Sequence, residues 1–176
     1  EAKGLVAMPS PLTSGAAAIH MSALTSNPNF GWAYYEKLAA NGVSPKGGNG
    51  GTFKAVASGE KLYGMVVDFL PIRQKAEGAP VEFVFPESGV TAVTEPAAIL
   101  STASNVDAAK AFIDFLLSRE GQELALSQGY LAAHPDVATP DGFPSRDKIK
   151  LMAFDAAAAL KNADADKKKF TETFGQ

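Results

Sequence analysis

The sequence predicts an α/β fold, a mostly parallel sheet with helices on both faces followed by C-terminal helices. Three observations carry that reading. Short apolar runs bounded by breakers, GLVAM at residues 4–8, LYGMVVDF at 62–69 and PVEFVFP at 80–86, have the length and composition of buried strands. Helical patterns separate these runs, as a crossover between parallel strands requires. From Asn105 onward the pattern is helical almost to the last residue.

Each element has a local justification. Pro9 and Pro11 end the first strand, and a helix begins at Ser14 with Ala16, Ile19, Ala23 and Leu24 on one face. Asn27-Pro28-Asn29 is a helix-start signal, and the helix that follows aligns Phe30, Tyr34 and Leu38, with Gly42 just past its end. Gly47, Gly48, Gly50 and Gly51 predict a loop able to take positive φ and to bring backbone N–H groups close to a ligand. A short helix is expected over 52–58, closed by Gly59. After the second strand, 71–77 is helical and Gly78 stops it. The third strand leads into an extended segment over 90–102. Asn105 caps a helix with Asp107 in its first turn, and Ala109, Phe112, Ile113 and Leu116 form the stripe expected to face the core. Residues 118–128 continue as a helix ended by Gly129. Beyond a proline-containing loop at 134–144, two more helices are expected between about Asp147 and Phe174.

Composition narrows the function classes. With 46% hydrophobic and 20% charged residues, the 176-residue chain has the makings of a packed core rather than of a disordered segment. A formal net charge of −3 argues against a nucleic-acid footprint, and the basic run Lys167-Lys168-Lys169 reads as a solvated helix face. No apolar segment approaches the ~20 residues that span a bilayer. Without cysteine there is neither thiolate catalysis nor a cysteine metal site. No Gly-x-Ser-x-Gly elbow, HExxH pair or Walker loop is present, so no catalytic residue is assigned and an enzyme is not expected.

The residues that bear on binding stand at helix starts. Thr13, Ser14 and Gly15 lie where the first strand hands over to the first helix. Either Ser14 is a plain cap worth ~1 kcal/mol, or the group cradles an anion. The unpaired N–H groups and partial positive charge of a helix N-terminus suit a phosphate, phosphonate or carboxylate. Asn49, Gly50, Gly51 and Thr52 repeat the device at a later helix start, although such a loop also reads as a flexible connector. Asp68 ends a strand at the carboxyl edge, where open α/β sheets place their ligands. It either accepts from a solute hydroxyl or amine or caps the next helix. Arg73 reads as a surface residue, Glu95 as a cleft or hinge residue, and His20 as a partly buried polar one.

The order of these segments resembles a known family. The strand, MPSPLTSGAA, GWAYYEKLAANG, GGNGGTFKAVASGE, LYGMVVDF and KAEGAPVEFVFPESG are followed by EPAAILSTASNVDAAKAFIDFLLSREGQELALSQGYL. This resembles the extracytoplasmic solute-binding proteins of bacterial ABC importers, in the type II group that includes ferric-iron, phosphonate and sugar-phosphate binders. The most specific stretches are residues 58–68 and 108–126.

The resemblance implies two α/β lobes joined by hinge strands that close over a ligand. Residues 1–89 would be the second lobe, 90–102 a hinge-type segment and 103–176 a C-terminal helical region, with the first lobe outside this chain. It further implies a periplasmic or extracytoplasmic monomer without cofactor, a small anionic solute as ligand and an ABC permease as partner. Thr13, Ser14 and Gly15 sit where the family presents hydroxyls and helix-start N–H groups. Ferric-binding relatives use an adjacent tyrosine pair after the second strand; here those positions read Asp68-Phe69-Leu70. Tyr34-Tyr35 are consecutive within a helix, diverge by ~100° and cannot both grip one ion. No metal is therefore expected. A ferric-iron-binding member, or the effector-binding domain of a transcription regulator, remains the alternative.

Overall fold

A computed structural model describes residues 2–175. Thr94–Ile149 forms one compact unit, and the chain up to Val93 together with that from Lys150 forms the other.

In the larger unit, β1 (Val6–Ala7) and β2 (Tyr63–Gly64) pair in parallel, Val6 opposite Tyr63 and Ala7 opposite Gly64. The α/β class holds, but among the described residues the sheet is this two-stranded pair. PVEFVFP, expected as a third strand, lies outside any ladder. Pro80 and Pro86 remove donors at its ends, and Glu82 Oε1 accepts the N–H of its neighbour Phe83 at 3.1 Å, a local bond that competes with ladder formation. Glu82 also pairs with Lys75 at 2.5 Å, which holds its carboxyl below the usual range.

Side-chain caps mark the starts of α1 and of several later helices, but not those of α2 and α3. Helix α1 (Gly15–Ser26) follows Ser14, and α2 (Gly31–Ala40) follows an Asx turn in which Asn27 Oδ1 accepts from Asn29 N–H at 2.9 Å. Helix α3 runs Asn49–Ala57, three residues earlier than its expected start. Gly50 and Gly51 therefore lie in its first turn and not in a loop. Of the four glycines there, only Gly47 has positive φ, at 59°. Helix α4 (Phe69–Ala76) follows Asp68 directly, so the expected strand over 62–69 is cut short. Where β2 crosses α3, a Cβ on Gly64 would stand 2.9 Å from Val56 Cγ2 and 3.1 Å from Thr52 Cγ2; only glycine lets the strand lie so close.

The core gathers Met8, Met21, Leu24, Tyr35, Val43 and Phe170. Phe170 comes from the last helix, α7 (Ala156–Phe174), which the sequence reading divided in two. Asp155 caps it, Oδ1 accepting from Ala157 and Ala158 N–H at 3.0 Å, and residues 146–148 form only a 3-10 turn. The Tyr35 and Phe170 rings meet edge-on with centroids 6.2 Å apart. Lys167, Lys168 and Lys169 are exposed, Lys169 Nζ lying 4.9 Å above the Trp32 ring. A parallel bridge joins Val90 to Leu151, where the chain leaves and re-enters this unit.

The smaller unit holds α5 (Val106–Leu117), capped by Asn105, and α6 (Arg119–Ser127), capped by Ser118. A Cβ on Gly121 would be 2.1 Å from the Phe115 carbonyl oxygen, so glycine is required at this junction. Arg146 closes the following loop by donating to the carbonyls of Ala132 at 2.7 Å and Val137 at 3.2 Å. The stripe on α5 is apolar as expected but does not face a core: none of that helix's residues is buried. No described helix is long and apolar enough to cross a membrane.

Candidate functional site

Three helix starts meet on one side chain. Ser14 caps α1, its Oγ accepting from Ala17 N–H at 3.3 Å. The turn before α1 lies against the turn before α3, because the Thr13 hydroxyl and the Ser10 amide both donate to the Gly47 carbonyl, at 3.0 and 3.1 Å. Asn49, the first residue of α3, donates through Nδ2 to Ser14 Oγ at 3.4 Å. Its Oδ1 accepts from Val67 N–H at 3.1 Å. Val67 precedes Asp68, the cap of α4. Asn49 thus ties α1, α3 and the approach to α4 together.

Around this bracket, Gly15, Gly50 and Gly51 are exposed, and a Cβ on any of them would meet no heavy atom within 4 Å. Their N–H groups belong to first helical turns, which have no intrahelical acceptors. The site therefore presents open backbone donors from two neighbouring helices, with the dipoles of both pointing the same partial charge outward.

The other expected site residues behave differently. Thr52 is buried; its hydroxyl turns back to the Gly48 carbonyl at 3.5 Å and its methyl lies beneath Gly64. Asp68 Oδ1 accepts from Phe69 N–H at 2.8 Å, so the carboxylate caps α4. Burial pushes its pKa up, against the lowering effect of that amide bond. Arg73 stands in the last turn of α4, and Glu95 is exposed in the smaller unit. The tyrosine pair points into the core: Tyr35 is fully buried beside Phe170, and its ring lies edge-on to Tyr34 with centroids 5.6 Å apart. Burial, with Tyr34 adding to it, drives the Tyr35 pKa well above the usual phenol range. Among the described residues, no three or more His, Cys, Asp or Glu side chains gather to hold a metal ion.

Sequence reasoning missed the Gly47 carbonyl and the Val67 amide, since backbone groups leave no residue-type signature. It also missed the His20–Thr91 contact, Nδ1 to Oγ1 at 3.1 Å, which ties α1 to the start of the extended segment. Burial holds the His20 pKa below its ordinary value.

The sequence profile of the bacterial extracellular solute-binding proteins matches residues 1–131. The chain belongs to that family. Among curated relatives of this solute-binding chain, an uncharacterised protein of Haemophilus influenzae is 39% identical over 85 residues, which is 47% of this chain and 25% of the relative. Among solved structures, the substrate-binding protein of an ABC transporter from Agrobacterium tumefaciens superposes with a TM-score of 0.80 at 17% identity. That match takes in 99% of this solute-binding chain and 55% of the Agrobacterium protein, and at such identity it speaks to fold alone. The chain thus spans little more than half of that protein, and its match to the Haemophilus relative about a quarter.

Proposed function

We propose that these residues are part of the solute-binding component of a bacterial ABC importer, working outside the cytoplasmic membrane and delivering a small anionic solute to the permease. Family membership supports the binding role, and the similar fold of the Agrobacterium protein, itself the substrate-binding protein of an ABC transporter, supports the importer setting. The observation that carries the choice of an anion is the Asn49 bracket, which holds two open helix N-termini side by side. Backbone N–H groups so placed attract a phosphonate, phosphate ester or carboxylate without a lysine or arginine.

In this reading Thr13, Ser14, Gly15, Asn49, Gly50 and Gly51 receive the anionic group. Asp68, at the adjoining helix start, accepts from a hydroxyl or amine on the same solute, and Thr52 supports α3 from inside. Residues 1–89 belong to one lobe and residues 90–102 to a hinge. The solute bridges two lobes and shifts the open–closed equilibrium by the contacts it gains in the closed state. The permease then engages the closed form.

Gly50 and Gly51 add support. Neither has positive φ and neither is packed against a neighbour, so the fold does not require glycine at these helical positions, where it costs ~0.5–1 kcal/mol relative to alanine. Close approach of a ligand to the backbone explains both.

Thermal-shift screening of the longer protein against methylphosphonate, a sugar phosphate, a dicarboxylate, a neutral sugar and ferric iron tests the reading. Stabilisation by one of the anions, lost in Asn49→Asp, is expected. Stabilisation by the neutral sugar or ferric iron alone overturns the anion assignment. Since one lobe supplies half of the contacts, the 176-residue chain should bind the same anion weakly or not at all. Micromolar binding by this chain in calorimetry would contradict two-lobe capture.

A further inference from the structure

Helix α1 carries a contact that the proposed site does not use. His20 Nδ1 lies 3.1 Å from Thr91 Oγ1, across 71 residues of chain. The imidazole nitrogen either accepts from the threonine hydroxyl or donates to it, so the bond forms with either tautomer. Both residues are half-buried. Thr91 stands where the chain leaves the larger unit. Immediately before it, Val90 N–H donates to the Lys150 carbonyl at 2.9 Å, and Met152 N–H donates to the Val90 carbonyl at 2.8 Å. Gly89 lets the two segments come so close: its φ is 105°, and a Cβ there would stand 3.0 Å from the Lys150 carbonyl oxygen. The leaving and returning segments are therefore stitched to each other. Past Thr91, residues 94–98 are all exposed.

Apolar packing leaves this stitched pair loosely held on α1. The returning segment brings Phe154 toward that helix, but a cavity of about 160 Å³ opens there. Ile19 and Ser22 of α1, Phe154, and Ala159 and Ala163 of α7 line it. Side chains around such a gap forfeit the close contacts that fix neighbouring elements in a packed interior. A directional bond supplies the register that packing leaves open, and His20 makes that bond. Helix α1 then joins two places in the molecule. Its first residue, Gly15, belongs to the proposed anion site, and His20 lies ~7.5 Å further along the axis.

We propose that His20 is a positioning residue of the binding device. Through Thr91 it fixes the crossing segments to α1, so that solute held at the start of α1 and movement of the crossing segments act on one rigid element. The proposal rests on the two-lobe reading above and deepens it. His20 touches no solute; it acts through Thr91.

Hydrogen exchange read by mass spectrometry on the longer polypeptide of its gene, without solute, tests the tether, and calorimetry tests the coupling. Thr91→Val keeps the shape and removes the hydroxyl, whereas Thr91→Ser keeps the hydroxyl. The Val90 and Met152 amides should exchange roughly 3- to 10-fold faster in Thr91→Val and in His20→Leu, the factor that one internal hydrogen bond is worth. The double variant should be no faster than either single one. Thr91→Ser should match the parent, and β2 and α3 should be unchanged throughout. Thr91→Val should also weaken, by a similar factor, binding of whichever of methylphosphonate, the sugar phosphate and the dicarboxylate stabilises the parent. Solute must then order the crossing segments itself. Parent-like exchange in Thr91→Val overturns the proposal. So does Thr91→Ser exchanging as fast as Thr91→Val, which would make the contact one of packing. Faster exchange with undiminished affinity removes the coupling to the site. No solute enters the exchange measurement, so it decides the tether even where the anion screen fails, and that failure counts against the anion reading alone.

Discussion

Asn49 Nδ2 donates to Ser14 Oγ at 3.4 Å while Asn49 Oδ1 accepts from Val67 N–H at 3.1 Å. One planar amide so serves a helix cap on one side and a backbone donor on the other. A carboxylate of the same shape keeps the second bond and can hold the first only in reverse, with the Ser14 hydroxyl donating. That asymmetry separates structural from binding roles.

Asn49→Asp should leave stability within about 1 kcal/mol of the parent. The Nδ2 donation to Ser14, a long hydrogen bond worth at most ~0.5–1.5 kcal/mol, is replaced by one in which the Ser14 hydroxyl donates, and a negative charge in the first turn of α3 adds ~0.3–1 kcal/mol. Anion affinity of the longer protein should fall more than ~10-fold, because the new charge stands where the anion docks. Urea unfolding and calorimetry on the same preparations give both quantities.

Gly51→Ala should stabilise the chain by ~0.5–1 kcal/mol, since the position is helical and its Cβ meets open space. The same change should weaken anion binding by the longer protein. A variant that is stabilised and binds with undiminished affinity would remove Gly51 from the site.

Phe170→Ala should destabilise the larger unit by ~3–5 kcal/mol, the range for truncating a fully buried phenylalanine. A loss below ~1 kcal/mol in thermal unfolding would mean that α7 is not part of the core.

Tyr35→Phe should be neutral or stabilising by about 1 kcal/mol, because the buried Tyr35 hydroxyl has no hydrogen-bond partner among the described residues. Its folded pKa is raised, so the tyrosine's contribution is present below the unfolded value of 10.0 and is lost as pH climbs above it. The phenylalanine variant should therefore resist alkaline unfolding better than the parent.

His20 gives the opposite sign. Its folded pKa lies below the ordinary 6.5, so the unfolded chain binds the proton more tightly and stability declines as pH falls from about 6.5 toward the folded value. Above that window both states are neutral and the residue contributes no pH dependence. His20→Gln should flatten this part of a stability–pH curve while keeping an acceptor for the Thr91 hydroxyl 3.1 Å away.

Local signals were legible and long-range ones were not. Gly42, Gly59, Gly78 and Gly129, read as helix stops, all take positive φ, between 77° and 96°. Ser14 and Asn105 cap the helices they were expected to start. Each of these features is settled within one helical turn of the residue concerned. Helix α3 began early because Gly50 and Gly51 carry no helical signal although their backbone is free to join the helix. PVEFVFP has strand composition, but a ladder needs a neighbour, and the described chain supplies none.

For the site, the sequence by itself marked Ser14 as a helix cap and gathered glycines near the start of α3; the Thr13 and Ser14 amides are taken up by the Ser10 carbonyl. Only the tertiary structure decided that Asn49 would join those starts, that Thr52 would turn inward, and that Phe170 would close the core beside Tyr35. Caps and stops depend on contacts a few residues apart, which the chain order fixes directly. Which helix covers which face depends on contacts across more than a hundred residues, as between Tyr35 and Phe170, where many pairings satisfy the same apolar pattern and packing selects one.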